Sequence, residues 1–577
     1  MILSFTGARW VAAAADPERV RRNRAAGMGA VSARILASRV EDETDAASWL
    51  RPTLEHLHDP RAMRNMDAAV DLVQRAVRDR VKIRIITDYD VDGTTSSLIL
   101  QAAVRLLDRE TALDYHIPNR FGEGYGFSQV AAKKAVSDKV GLVVTADIGV
   151  RDHASVALAR DGGADVLVCD HHLPAGESVP PDAVVLCPPQ DGCAYPNRSL
   201  AACGVSLKLA NALLGHLPRW ALYQASLLKL AAIGTVADMV SLATLENRAI
   251  VTLGLQGLNG ADQSPGLRAL LDAAGLAPGG VRVSDLGFRL GPRINAAGRL
   301  SDATLVVELM NARDLDSARA LAQKIEGLNA ERKSIQGKLQ EEALARIAGD
   351  PAPFVVVAGA EEEGWHRGVV GIVASKVKDS VNRPVAVVSI QGDHAVGSVR
   401  SVPGIHAVQA LDSARDLLVK YGGHPMAAGF TVRTADLPEL ERRLGAFVAS
   451  AVDVSAWVPT RPIDAEIPIA DVGDALFREL DRLGPFGSAN ATPLLMIPRV
   501  RPSRIEVRRT KTDRPYVRFQ VTDGRRASDA TWWDGAEHAD ALAQGPVDLL
   551  VQLEENVWNG NRSIRLDIRD VRVSPSA

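Results

Sequence analysis

Four cysteines in 577 residues are too few for a disulfide framework. None of them (Cys169, Cys187, Cys193, Cys203) stands in a CxxC pair, so a zinc knuckle is not indicated either. No apolar run reaches the ~20 residues that a membrane span needs. The opening residues, MILSFTGARWVAAAADPERV, have no basic region ahead of a long apolar one, so no secretory leader is expected. These absences lead to the expectation of a soluble, cytoplasmic protein with no membrane partner.

What is present points to a globular chain, with 46% hydrophobic and 24% charged residues. The length exceeds one core and suggests three or four domains. The net charge of −3 hides a local asymmetry. RVRPSRIEVRRTKTDRPYVRFQVTDGRR, Arg499 to Arg526, is strongly basic, as a face that holds a polyanion would be, although a solvated strand face reads the same way.

The pattern along the chain divides it into an N-terminal helical segment (1–50), a first α/β domain (51–260), a helical connector (261–350), a second α/β domain (351–452) and a β-rich module (453–577). In the first α/β domain the strand-like runs VKIRIIT, KVGLVVTA, ADVLVC and DAVVLC alternate with helical patterns, which predicts a parallel sheet. Leu305 to Ala348 contains no proline and reads as one long helix or a helical pair. PFVVVAG and RPVAVVSI are strands of the second domain, flanking GVVGIVASKV. The last module has short alternating strands, with Asn559-Gly560 placed for a hairpin turn, and reads as a small β-barrel.

IITDYDVDGTTS sets Asp88, Asp90 and Asp92 at alternating positions before Gly93. A calcium loop starting at Asp88 would need a bidentate Glu at its twelfth position, which is Ile99, and a helix where the β-branched strand stands. The alternative is a strand end that delivers carboxylates to the carboxyl edge of the sheet, where open α/β sheets bind ligands. LVVTAD ends at Asp147, VLVCDHH ends at Asp170-His171-His172, and Asp238 follows an apolar helix-like segment. Any one of these acids could simply cap a helix. Three clusters in one unit favour two Mn²⁺ or Mg²⁺ ions, which take oxygen ligands with one or two imidazoles and act on phosphoryl groups.

DYDVDG, TADIG, DHH and GTVADMV, in that order, resemble the motifs of the DHH phosphoesterase superfamily. PNRFGEGYG (118–126), GPRINAAGR (291–299), GWHRGVVGIVASK (364–376), GSVRS (397–401) and GGHPMAAG (422–429) are similar to those of its RecJ family of single-stranded-DNA-specific exonucleases. The resemblance spans nearly the whole chain. It implies an α/β fold with a DHH parallel-sheet domain and a DHH-associated α/β domain joined by a long helix, followed by an OB-fold barrel. The implied activity is 5′-to-3′ exonuclease hydrolysis of single-stranded DNA in repair and recombination, by a monomer working with a helicase and a single-strand-binding protein.

By the same resemblance, Asp90 and Asp147 hold one metal, and Asp92, Asp147, His171 and Asp238 hold the other. His172 faces the phosphate, Asp170 orients the imidazoles, and Asp88 is a further ligand or outer acid. Arg120 meets the 5′-phosphate. Arg293, with Asn295 and Arg299, contacts the scissile region from a cleft between the two α/β domains. Ser398, Arg400, Ser401 and His424 face nucleic acid, and backbone N–H groups after Trp365 and His366 can receive an anion. Small-molecule relatives carry a metal-binding His where this chain has Ile86, a departure that argues against short oligonucleotides or cyclic dinucleotides as substrates. A non-catalytic binding scaffold on the same framework would have lost metal ligands that are all present here. Tyr516, Phe519, Trp532, Trp533 and Trp558 are candidates to stack on bases, no more than about half of them exposed.

Overall fold

The computed structural model describes residues 3–40, 45–174, 178–347, 349–452, 457–511, 513–524, 527–558 and 561–575. The predicted Asn559-Gly560 turn, Ala348 at the end of the predicted helix, Arg526 at the end of the basic stretch and the start of the last module at 453 lie outside them. The chain forms two compact units. One comprises Met1–Gly291, Met310–Leu315 and Thr460–Ala577, and the other Pro292–Leu309 and Asp316–Pro459.

In the first unit, Leu113–His116, Ile83–Thr87, Leu142–Ala146, Asp165–Cys169 and Val184–Leu186 lie side by side, in that order, as a parallel sheet. Its central strands are apolar on both faces because both faces are covered. Ile83, Ile85 and Val144 pack under the helices Met66–Arg78, Val91–Leu107 and Ala202–Leu214. Ile86, Val143 and Val168 pack on the opposite face with residues of Gln129–Ser137 and His153–Asp161. Ile86 is fully buried there, committed to the core. The edge strand Leu113–His116 was not foreseen, since its LDYH sequence is half-buried and half polar.

Five strands close the terminal barrel: Leu495–Arg509, Pro515–Thr522, Ala527–Trp532, Asn561–Val573 and Val547–Trp558, the last pairing back onto the first. The N-terminal segment belongs with this barrel. Arg9–Ala12 is a strand, pairing in parallel with Thr460–Ile463, and Ile35, Leu36, Val40 and Trp49 share a core with Leu495, Phe519, Trp532 and Leu549.

Arg248, on the helix Leu245–Asn259, ties these parts together. Its guanidinium stacks 3.6 Å from the Trp49 ring and donates to the carbonyls of Trp49 (3.2 Å), Leu483 (3.2 Å) and Gly484 (2.6 Å). Burial lowers its pKa to about 9, a cost offset by those partners. Arg248→Met removes the donors and strands buried carbonyls. It is expected to lower the unfolding free energy by about 3 kcal/mol, read from urea denaturation midpoints.

The second unit holds a mixed sheet with strand order Leu418–His424, Ala427–Arg433, His394–Arg400, Val385–Gln391, Val355–Ala360, of which only the last pair is parallel. Over the stretch expected to form one long helix or a helical pair, Leu305 to Ala348, the described residues form two helices, Thr304–Met310 and Leu315–Ala345.

Candidate metal centre

Strand register builds this site. Thr87 pairs with Ala146, and Ala146 with Cys169, so the residues that follow them, Asp88, Asp147 and Asp170, leave the sheet level with one another. Asp90 caps the helix Val91–Leu107 by accepting from Gly93 N at 3.1 Å. Asp92, two residues on and fully buried, accepts from Ala202 N (2.7 Å) and Cys203 N (2.9 Å), the positive end of the helix Ala202–Leu214. Asp238 stands at the C-terminal cap of Trp220–Ala237. Asp147 has φ of +64°, a left-handed backbone that Asp tolerates better than most side chains do.

Among the described residues, three groups of potential ligand atoms converge: Asp88 with Asp90 and Asp147, Asp92 with His171 and Asp238, and Asp147 with His171 and His172, each within 4.8 Å. Asp147 belongs to two of them. His171 Nε2 lies 3.2 Å from Asp147 Oδ1, 3.7 Å from Asp238 Oδ2 and 3.8 Å from Asp92 Oδ2. It makes no hydrogen bond, although it is buried, and neither does the buried Asp88 Oδ1.

Electrostatics tell the same story. Burial first, then the charge of Asp90, pushes Asp88 up to about 8. Burial and neighbouring carboxylates likewise raise Asp92, Asp147 and Asp238. Burial lowers the His171 pKa and leaves the ring neutral, the form that ligates. Crowded carboxylates and an orphaned imidazole nitrogen suit divalent cations with mainly oxygen ligands, so the residues present fit Mn²⁺ or Mg²⁺.

Asp170 orients only one of the two imidazoles. Its Oδ1 accepts from His172 Nδ1 (2.8 Å) and from the backbone N–H groups of His171 (2.7 Å) and His172 (3.2 Å), and its Oδ2 from Val150 N (3.0 Å). Burial opposes its charge, yet the His172 bond and the two imidazoles hold its pKa well below the usual carboxylate range. Against its own burial, His172 is raised by the same bond.

Sequence reasoning missed two tyrosines. Tyr125 Oη shares a hydrogen bond with His172 Nε2 at 3.3 Å, and the Arg120 guanidinium sits 4.8 Å over the Tyr89 ring. Both lie inside quoted motifs, where an aromatic among glycines and acids was the available signal.

A divalent cation should therefore stabilise the fold. A carboxyl whose folded pKa exceeds its unfolded value holds its proton more tightly when folded, so stability falls as pH rises from about 4 to about 8. A cation that replaces those protons is expected to add about 2.7 kcal/mol at a hundredfold excess over Kd. The increment should grow between pH 6 and pH 8, as read by thermal unfolding with and without Mn²⁺.

The other candidate residues lie in the second unit. Arg400 donates to Ser375 Oγ (3.1 Å) and Ser398 Oγ (2.9 Å), and a methyl group at Gly371, in the first turn of Val370–Val381, would lie 3.2 Å from its Nη2. Ala427 pairs with both Arg400 and His424, so these two flank one position of the sheet, His424 being exposed. Arg293 is ion-paired with Glu326 at 2.6 Å, and Asn295 is half-buried on the helix Gly291–Leu300. Ser401 is buried, its hydroxyl donating to Ile405 O (2.7 Å), and Trp365 is core, bonded to Glu342.

On the barrel, Phe519 and Trp532 are buried, whereas Trp533 is 41% exposed and its ring centroid lies 4.9 Å from that of Tyr516. That pair lines a groove of about 990 Å³ with Arg508, Arg518 and Arg565. The Trp558 side chain lies outside the described residues.

Three family models match the chain: the DHH family N-terminal domain at 82–235, the DHHA1 domain at 352–450 and the RecJ OB domain at 463–570. The single-stranded-DNA-specific exonuclease RecJ of Bacillus subtilis is 34% identical over 94% of this chain and 68% of its own length. The protein of the same name from Salmonella typhimurium is 32% identical over 93% and 99%. The crystal structure of Thermus thermophilus RecJ in complex with Mn²⁺ superposes with a TM-score of 0.83 at 30% identity, covering 99% of this chain and 80% of that one. Its Mg²⁺ complex gives 0.77 at 29% identity, covering 99% and 79%. Geometry and likeness agree, and the chain belongs to the RecJ family.

Proposed function

We propose that this protein hydrolyses single-stranded DNA from its 5′ end, releasing nucleotides, in DNA repair and recombination. The observation that carries this reading is the trio of ligand groups, linked to one another through Asp147 and His171, at one sheet edge, in a chain whose relatives are named single-stranded-DNA-specific exonucleases. Asp88, Asp90 and Asp147 would hold one divalent cation, and Asp92, Asp147, His171 and Asp238 the other. When bound, the pair supplies Lewis-acid stabilisation of the charge that develops on the phosphoryl group.

The protein's own groups do the rest. Asp170, by taking the Nδ1 proton of His172, fixes that ring so that its Nε2 edge meets Tyr125 and a phosphate oxygen. Arg120, braced over Tyr89, offers a fork to the 5′-phosphate. Ser398, Arg400 and the first turn of Val370–Val381 form a polar seat for the DNA backbone, with Arg293, Asn295 and His424 as further contacts. Tyr516 and Trp533 offer stacking faces among the arginines of the barrel groove, at about 1–3 kcal/mol per base. Buried Ile86 supplies no ligand atom, which disfavours the dinucleotide phosphodiesterase reading. Family resemblance supports the extension to a cytoplasmic monomer acting with a helicase and a single-strand-binding protein.

The test is digestion of a 5′-phosphorylated single strand labelled at its 3′ end, with and without Mn²⁺. A ladder that shortens while keeping the label is expected. Immediate release of the label as a mononucleotide, or activity confined to dinucleotides, would overturn the reading.

A further inference from the structure

We infer that Phe288 is a stacking platform for a nucleobase next to the scissile phosphodiester, an inference that rests on the nuclease reading above. Phe288 is 82% exposed, yet it sits on an anchored segment. Leu286–Leu290 is a single π-helical turn, a form concentrated at functional sites. Leu286 and Leu290 are fully buried. Arg289 pins the turn through Asp285 Oδ1 (3.3 Å) and the carbonyls of Ala274 and Gly275. Phe288 is left as the large side chain that the turn presents to solvent.

The turn also lies against the metal centre. A methyl group at Gly287 would sit 3.6 Å from Val236, and one at Gly291 would sit 3.5 Å from Ala237 Cβ and 3.9 Å from Val91 Cγ2. Ala237 immediately precedes Asp238, and Val91 immediately follows Asp90, so the turn spans the two segments that carry those carboxylates. Other large side chains near the ligands are exposed as well. Met239 (72%) directly follows Asp238, Leu173 (61%) directly follows His172, and Tyr125 is bonded to His172. An acidic floor with an apolar and aromatic rim matches a substrate whose phosphodiester goes to the floor while its bases meet the rim. Such stacking is indifferent to base identity, because every base has a π-face.

Single-turnover digestion of an intact strand would be compared with that of the same strand carrying abasic residues at its first three 5′ positions. Phe288→Ala is expected to slow the intact strand by about tenfold to a hundredfold, the range that stacking of one base spans. Phe288→Trp, which keeps an aromatic face, should recover most of that loss. On the abasic strand the wild type and Phe288→Ala should run alike. Mn²⁺ affinity and thermal midpoint should be unchanged in both variants. Wild-type speed of Phe288→Ala on intact DNA, an equal slowing on both strands, or weakened Mn²⁺ binding would each overturn the platform. Failure of the wild type to digest the intact strand at all would overturn the nuclease reading and the platform with it.

Discussion

Asp147→Asn is expected to cut Mn²⁺-dependent digestion of single-stranded DNA by about a thousandfold or more. Asp147 belongs to two of the three ligand groups and approaches His171 Nε2 to 3.2 Å, so losing its charge affects both halves of the centre at once. If it contributes about 4 kcal/mol of charge stabilisation at the reacting phosphoryl group, the rate falls by about three decades. Asn is the informative replacement because, like Asp, it tolerates the left-handed backbone at this position, whereas Ala would add a conformational cost. The metal-free variant should also melt at a higher temperature than the metal-free wild type, since one of several mutually repelling buried acids has been neutralised. Binding to a long single strand should be preserved. Digestion within tenfold of wild type would remove Asp147 from the centre of the mechanism.

Gly93→Ala is expected to be nearly as damaging by a different route. A Cβ at Gly93 would stand 2.4 Å from Asp88 O and 2.8 Å from Asp88 N. Both are backbone atoms at the end of a central strand, so nothing flexible can give way. Overpacking of this kind costs about 1–3 kcal/mol. Its larger effect is geometric, because relief of the clash shifts Asp88, Asp90 and Asp92 relative to Asp147. A displacement of about 1 Å at such a site costs on the order of a hundredfold in rate. Digestion rate and Mn²⁺ affinity measured on the same preparation check this. An unchanged Mn²⁺ isotherm would show that the loop accommodates the methyl group without moving its acids.

Much of the catalytic sheet was legible because its signals are local. Ile83–Thr87, Leu142–Ala146 and Asp165–Cys169 are apolar runs that stop at acids, and a parallel sheet fixes where such ends emerge. The register that brings Asp88, Asp147 and Asp170 level was not legible, nor was the division of labour in which Asp170 grips the His172 ring and leaves the His171 ring to the carboxylates. Those depend on side-chain direction across strands far apart in sequence. The barrel aromatics were sorted only by structure. Phe519 and Trp532 share the alternating pattern of their neighbours, but the inward face became identifiable only once the barrel had closed. The π-helical turn at Phe288 left no periodic trace, since a five-residue stretch is shorter than the window in which helical spacing shows.

The core shared by the N-terminal segment and the barrel has a consequence for biosynthesis. The indole N–H of Trp10 donates to Asp570 Oδ2, a sequence separation of 560, and Trp49 is buried with residues from 465 onward. At typical synthesis rates, roughly 30 to 110 s separate the appearance of Trp10 from that of its partner. During that interval Trp10 lacks Ile463, Met496 and Leu550, and Trp49 lacks its barrel neighbours, so a segment synthesised late completes the burial of one synthesised early.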